Sequence, residues 1–497
     1  MSRLSPGFRE SLALTKHLRS LPVLMIFCLA LSGQTTSQAE LNLPELGDSK
    51  KAQVSSAMEA RFADQLRRQV YQTQRIIDDP ITASYVDDLM TRLAQSSQIH
   101  YFSPSILLIR DSSINAFAGP GQIIGVHSGL FVNADQLPEF AGVMAHELGH
   151  LNYKHFALMM NQAESTQRKL LIPIIAGILV AVTGEIDVSS EVVGMIATGQ
   201  TLAMDEYAAY SRQLETEADM FALKAMADNH IDPKGLPDFF KVMLRKYGDQ
   251  NQLPSFMLSH PISQARISYT SARLKNMALL SEIDNQFSDQ SIHYQLVRQR
   301  MVQIEQPESF KKHAALFARA PEGLNKTLSA YRALIAYGQG DDWDQALELM
   351  RYLQGQLPFN PIIAQTIAQT FSQFRPEQAA QSVTTMFRLA PESRATKVLA
   401  YQYYLDSQQT DRALGMSITL EDEMAYSILY WEQNVQLFRE LKQPADMHYS
   451  LAEIAYLNNQ LAKAEEQLLI AKQLCQGNVL CQTKMVRRID QVRALRR

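Results

Sequence analysis

The chain has 497 residues, enough for two or three domains of ~100–200 residues each. Hydrophobic residues make up 46% and charged residues 20%, the balance of a globular protein that buries a sizeable core. A formal net charge of -4, with no long block of like charge, excludes the basic footprint of a nucleic-acid binder.

The chain opens as a targeting segment. Arg3, Arg9, Lys16 and Arg19 make a basic start. Residues 21–31 (LPVLMIFCLAL) are apolar but too short for a span of ~20 residues. Ser37, Gln38 and Ala39 form a small-x-small site, so residues 1–39 read as a cleaved secretory signal peptide. The alternative is an uncleaved anchor; a lipoprotein site at Cys28 is disfavoured by Phe27 before it. With the signal removed, Cys475 and Cys481 remain. Two cysteines in an exported protein are a plausible disulfide, against two free buried thiols.

Residues 41–97 are mixed and helical, with apolar residues at helical spacing between Ile81 and Leu93. Residues 105–110 (SILLIR) predict a strand. Residues 115–130 carry Gly119-Pro120-Gly121 and then a β-branched run, Ile123 to Val126, which predicts a strand or hairpin ending at Gly129. A strong helix is expected over 138–151. Residues 170–182 (LLIPIIAGILVAV) are apolar all round, and a second apolar stretch covers 192–202. The first is short and contains Pro173, which favours a buried helix over peripheral membrane contact. Helices are expected over 207–228, 235–247 and 262–274, with 254–261 a loop bearing His260.

The C-terminal third changes character. Ala346 is followed by Ala380 after 34 positions and by Ala413 after 33 more, with a fourth copy at Ala464 after a longer gap. A period near ~34 with small residues at helix crossings predicts tetratricopeptide repeats, against an irregular helical bundle.

The chemistry centres on residues 141–155, AGVMAHELGHLNYKH. Residues four apart share a helix face, so His146 and His150 can present two imidazoles to one zinc ion. Glu147 projects toward the open side, where it can take a proton from the attacking water. His155 lies five positions past His150, about 140° further round if the helix continues, and is not expected to ligate the same ion. A third ligand is expected from Glu215-Thr216-Glu217-Ala218-Asp219. Glu215 and Asp219 share a face; one can ligate while the other accepts the N–H of a ligating histidine, and spacing alone does not say which.

NAFAGPG (115–121), HELGHxxxxH (146–155) and SRxxETEAD (211–219) together resemble the prenyl-protein CAAX endopeptidase and HtpX-like peptidase family, over about residues 60–275. The resemblance implies zinc held by His146, His150 and Glu215, with Asp219 supporting a metal histidine. Signal peptide, peptidase and C-terminal repeats together resemble exported, periplasmic members of that family. This implies proteolysis of stalled or misassembled outer-membrane β-barrel proteins, help in maturation of the lipopolysaccharide-transport barrel, and their assembly machinery as partners. In such proteins a histidine in a Ser/Thr-His-Pro loop can take the fourth zinc position and hold the enzyme inactive; Ser259-His260-Pro261 matches.

The strand near Ile123 to Val126 is expected to be the edge that pairs with substrate, and Asn115 is either a donor to substrate or oxyanion or a turn residue. His127 is expected to be a packed or exposed histidine, not a ligand, and His17, His100, His230, His293, His313 and His448 to be structural. The expected fold is α+β and mostly helical: a signal peptide (1–39), a zincin-like peptidase domain with a small β-sheet (40–275), a helical linker (276–310) and an all-α repeat superhelix (311–497). The expected activity is zinc-dependent peptide hydrolysis. The competing readings are a chaperone or adaptor acting through its repeats with the peptidase latched, and, less favoured, a small-molecule hydrolase.

Overall fold

The computed structural model describes residues 56–158, 201–247, 255–275, 277, 289–338, 340–372 and 374–496. The expected signal segment, the apolar run 170–182 and residues 192–200 of the second run lie outside them. Among the described residues no helix is long and apolar enough to cross a membrane.

The N-terminal part is built on two helices, α1 (Ser56–Thr73) and α2 (Pro80–Ala94). Asp79 caps α2, its carboxylate accepting from Thr82 N at 3.3 Å, and Pro80 occupies the first turn, where no N–H is missed. Ile81, Tyr85, Val86, Leu89, Met90 and Leu93 repeat at helical spacing and are all buried.

Three short strands follow: β1 (Ser105–Ile109), β2 (Ala116–Gly119) and β3 (Ile123–His127). Their order in the sheet is β1-β3-β2, with β1 parallel and β2 antiparallel to β3. Gly121, at the tip of the β2–β3 hairpin, has φ 65°, and a Cβ there would lie 2.6 Å from the Ala63 Cβ of α1. The turn therefore requires glycine for both conformation and space.

This order corrects the expected substrate edge. Ile123 and Val126 lie in the central strand, bonded on both sides and fully buried, so β3 has no free edge. An unbroken apolar run marks a strand buried on both faces; only alternation marks a half-exposed one. The antiparallel edge is β2. The hairpin ends at His127, not Gly129, because Ser128 already starts α3 (Ser128–Asn133).

Next come α4 (Leu137–Asn152), α5 (Thr201–Asp228), α6 (Gly235–Tyr247), α7 (Ser255–Ser259) and α8 (Gln264–Lys275). A reciprocal capping box between Gln136 and Glu139 starts α4. The expected loop over 254–261 is in part the short helix α7, whose Phe256 carbonyl accepts the His260 N–H at 2.8 Å. α4 and α5 approach closely at Gly149, where a Cβ would sit 2.8 Å from Ala218 Cα.

α9 (Asp289–Glu305) falls within the expected linker but is core. Tyr294, Leu296, Val297 and Met301 are fully buried, and Tyr294 Oη donates to Ala134 O at 2.6 Å. Arg300 bonds Asp79 Oδ2 at 2.8 Å and reaches Thr366 Oγ1 at 3.3 Å. A segment with this apolar load buries itself between its neighbours instead of spanning them through solvent.

The described residues from Phe310 onward form eleven helices, α10 to α20. Alternate ones begin at Phe310, Trp343, Pro376, Thr410, Pro444 and Val479, 33 to 35 residues apart. Ala346, Ala379, Ala413 and Ala464 each take the fourth position of their helix and are fully buried. The repeat therefore registers on Ala379, not on half-buried Ala380. Ala464 belongs to the intervening helix series, about one and a half periods of ~34 residues after Ala413, which accounts for the longer gap. Cys475 and Cys481 form a disulfide between the end of α19 (Leu461–Leu474) and the first turn of α20 (Val479–Arg496).

The helical array returns to α1. Arg68 Nη1 donates to Asn459 Oδ1 at 2.7 Å, Tyr456 Oη to Asp64 Oδ1 at 2.5 Å, and the Arg67 guanidinium lies 3.5 Å from the Tyr426 ring centroid. The described residues make one compact unit.

Candidate metal centre

α4 is nearly all buried from Phe140 to Gly149, and this carries His146 and Glu147 into the interior at 0% and 1% exposure. Their helix neighbours are small or apolar, so the burial is enforced by the packing of the whole face. Buried imidazoles and carboxylates need partners. α5 and the residues after α7 supply them.

One helical turn places His146 Nε2 and His150 Nε2 3.0 Å apart. Glu215, on α5, puts Oε2 3.4 Å from His146 Nε2 and Oε1 3.5 Å from His150 Nε2. His260 Nδ1 stands 3.3 Å from His146 Nε2 and 3.0 Å from Glu215 Oε1. One donor atom from each of His146, His150, Glu215 and His260 lies within 4.8 Å of the others, the one such group found among the described residues. Nitrogen lone pairs converging on a carboxylate in a buried space are the donor set of a divalent metal ion.

Asp219, one turn after Glu215, accepts from His146 Nδ1 at 2.9 Å, which leaves Nε2 as the lone-pair nitrogen facing the cluster. Glu147 Oε2 accepts the Ala118 N–H of edge strand β2 at 3.0 Å. Its Oε1 is buried without a hydrogen-bond partner in the structure and lies 3.4 Å from His260 Nε2. An orphaned carboxylate oxygen beside a metal donor set is poised to accept a proton from something bound there.

The electrostatics follow from this packing. Burial foremost pushes the Glu147 carboxyl up, against the pull of His260 and His146. Burial also resists ionisation of Glu215, but the charges of His260 and His146 and their hydrogen bonds hold it well below the usual range. Burial pushes the His146 imidazole down, yet its bonds to Asp219 and Glu215 outweigh this and lift it to about 9. His150 falls well below its ordinary value, burial again being the first cause. Burial opposes the Asp219 charge too, but His146 and Arg266 hold its carboxyl below the usual range. Glu215 and Asp219, both favoured in ionised form, thus face two imidazoles with opposite tendencies, an arrangement that a cation balances.

Sequence reasoning missed Arg266. Its Nη1 lies 2.8 Å from Glu215 Oε2, its Nη2 and Nε bond Asp219 at 2.7 and 2.9 Å, and Nη1 donates to Pro261 O at 3.0 Å. One guanidinium thus ties both α5 carboxylates to the residues after His260. The available signal was the demand of two buried carboxylates for a cation.

The remaining expected residues fall as follows. Asn115 is fully buried immediately before β2, and its carbonyl accepts the His127 N–H at 3.0 Å. His127 is packed, with Nδ1 2.9 Å from Ser113 Oγ. His313 and His448 bond Gln303 and Gln467. His17 lies outside the described residues, and His100, His230 and His293 stay outside the metal cluster. α4 ends before His155, whose Nδ1 lies 2.9 Å from His150 Nδ1.

Residues 80–274, the stretch that contains this cluster, match peptidase family M48. The chain carries an M48 peptidase domain. It is a metalloendopeptidase, and its His/Glu cluster fits a metal site. A Vibrio cholerae homologue provisionally named beta-barrel assembly-enhancing protease is 27% identical over 350 residues, 68% of this chain and 69% of that one. The Escherichia coli protein named beta-barrel assembly-enhancing protease is 28% identical over 242 residues, 47% of each chain. The mitochondrial metalloendopeptidase OMA1 of Schizosaccharomyces pombe is 25% identical over 186 residues, 37% of this chain and 51% of that one. The chain thus spans about half the length of two of these relatives in alignment.

Proposed function

We propose that this chain is a periplasmic zinc endopeptidase that assists the assembly of outer-membrane β-barrel proteins and degrades those that misassemble. The observation that carries the zinc reading is the donor spacing. Nearest donor separations of 3.0 to 3.5 Å match the ~3.3 Å edges of a tetrahedron with bonds of ~2.0–2.1 Å, the geometry of zinc on nitrogen and oxygen ligands. His146, His150 and Glu215 are the proposed protein ligands, with Asp219 orienting His146. Zinc bound there would supply Lewis acidity to the scissile carbonyl and acidify the attacking water. Glu147 takes the water proton at Oε1 and returns it to the leaving amine, while the Ala118 N–H holds Oε2 in place. An extended peptide pairs with edge strand β2, and Asn115 at its start is placed to help hold the hairpin.

The periplasmic placement rests on the N-terminal signal pattern and on the disulfide, which belongs to an oxidising compartment. The β-barrel role rests on the names of the relatives. The helical hairpins recurring at 33 to 35 residues are read as tetratricopeptide repeats presenting a surface for clients.

A second reading is favoured by the closed state of the site. His260 fills the fourth donor position and Glu147 is 1% exposed. On that reading the peptidase rests latched and the chain acts chiefly as a chaperone. One experiment separates the two, using a denatured outer-membrane β-barrel protein as substrate. Glu147→Gln is expected to keep one zinc per chain and lose cleavage by about 10²–10⁴-fold, and His260→Ala to raise basal cleavage. Full β-barrel assembly by Glu147→Gln in cells would make proteolysis secondary, and unchanged cleavage by His260→Ala would remove the latch.

A further inference from the structure

The two imidazoles on α4 are oriented by different means. His146 reaches its carboxylate, Asp219, directly. His150 reaches none directly through Nδ1; that atom faces His155 Nδ1 at 2.9 Å, and His155 Nε2 stands 3.3 Å from Glu217 Oε2. Gln213 Nε2 in turn donates to Glu217 Oε1 at 3.0 Å and fixes that carboxylate.

Had α4 continued, His155 would lie about 140° round the helix from His150. Instead α4 ends at Asn152, and Lys154 takes φ 53°, a left-handed conformation that is unfavourable for a non-glycine residue. Backbone strain of this kind persists where surrounding contacts over-determine it. Here it turns His155 back onto His150. His155 is then held at 1% exposure, its ring stacked on Tyr153 with centroids 5.7 Å apart.

We propose that His155 and Glu217 are positioning residues forming a hydrogen-bonded relay that fixes the tautomer and orientation of His150 at the metal. The inference rests on the reading of His146, His150 and Glu215 as zinc ligands. For His150 Nε2 to offer its lone pair, Nδ1 must carry the proton. That N–H donates to His155 Nδ1, which fixes His155 as the Nε2–H tautomer, donating in turn to Glu217. Each link has one donor and one acceptor, so the chain is satisfied in a single arrangement. The partner of a metal-bound imidazole orients the ring and raises its basicity. The side chains of Glu215, Glu217 and Asp219, two positions apart on α5, thereby divide into a ligand and two anchors, one for each histidine.

The test measures zinc dissociation constants of the full chain by competition with a chromophoric chelator, together with the absorption spectrum of the cobalt(II)-loaded protein. His155→Phe keeps the ring and its stacking but removes both nitrogens, and is expected to weaken zinc by about 10–100-fold. Glu217→Ala should weaken it in the same direction. Combining the two should add nothing to His155→Phe, since Glu217 acts only through His155. His155→Gln, which can accept from His150 and donate to Glu217, should recover most of the affinity, a rescue that a merely space-filling role would not give. Glu217 is partly exposed, so Glu217→Ala and Glu217→Gln remain informative if His155→Phe fails to fold. A shifted cobalt spectrum in them supports the relay. An unchanged affinity and spectrum, or fully additive losses in the double variant, overturns it. If the native chain binds no zinc, or His146→Ala binds it as tightly, the ligand reading itself falls and the relay with it. Tight native binding with unaffected His155 and Glu217 variants defeats the relay alone.

Discussion

Arg266 compensates two buried carboxylates at once, the same two that the His146 imidazole touches. Burial opposes its charge, but Glu215 and Asp219 outweigh this and raise its pKa. Replacing it with methionine leaves both carboxylates buried with only histidine partners, which is expected to destabilise the chain by about 3–5 kcal/mol. Arg266→Lys should fall between native and Arg266→Met, because a single ammonium cannot match the bidentate fork on Asp219 while reaching Glu215 and the Pro261 carbonyl. Urea denaturation in the presence of chelator measures both; a loss under about 1 kcal/mol for Arg266→Met would contradict the assignment. At this scale the sequence was legible where chemistry is local. His146, Glu147 and His150 share a helix, so spacing alone brought them together. Arg266 was not legible, because which cation meets a buried carboxylate is decided by how α8 crosses α5. His155 was excluded as a ligand on the assumption of a continuing helix, and the left-handed turn at Lys154 gave it a different place.

α4 and α5 can form one site only because they pack backbone to backbone at Gly149. Alanine there would gain ~1 kcal/mol of helix propensity. Its Cβ would also lie 2.8 Å from Ala218 Cα and 3.0 Å from Ala218 O, a clash that displaces α5 and Glu215 with it. Gly149→Ala is therefore expected to weaken zinc by at least about tenfold while helix content is unchanged, read by chelator competition and circular dichroism. Native affinity in that variant would show that the helix spacing is not what places Glu215. Several helices were legible from sequence pattern, as in α2, α4 and α6. The sheet was less so. Ile123 to Val126 showed a strand but not its neighbours, since strand order depends on contacts outside the segment. The single turn α7 was too short to leave a periodic signal between Pro254 and Pro261.

The peptidase domain and the helical array share a buried polar junction. Arg300 of α9 pairs with Asp79 at the start of α2 and extends to Tyr331 and Thr366 of the array. Burial raises the Asp79 carboxyl, but the charge and hydrogen bonds of Arg300, with those of Thr82, hold it below its ordinary value. A carboxyl depressed on folding stabilises the chain above its unfolded value of ~3.9, and that contribution is lost as pH falls through the folded value. Asp79→Asn keeps a capping side chain but removes the charge facing buried Arg300, at a cost of about 3–5 kcal/mol near pH 7. The gap between native and variant in urea denaturation should close as pH is lowered through the acid range below ~3.9. A gap independent of pH would contradict the pairing. The helical period of 33 to 35 residues was legible from the spacing of the small residues. The linker was not: α9 looked like a connection because nothing local marks Tyr294 or Arg300 as partners of α3, α2 and α11 (Leu324–Ile335).

The site residues of α4 and α5, with His260, gather around one claimed ion, and its position can be measured directly. Crystals of the purified full chain, with diffraction recorded on either side of the zinc absorption edge, would give an anomalous difference map. The expected result is one peak per chain, within ~2.0–2.2 Å of His146 Nε2, His150 Nε2 and a Glu215 carboxylate oxygen. A map with no peak there, or with its peak on other residues, would contradict the metal centre and the mechanism built on it.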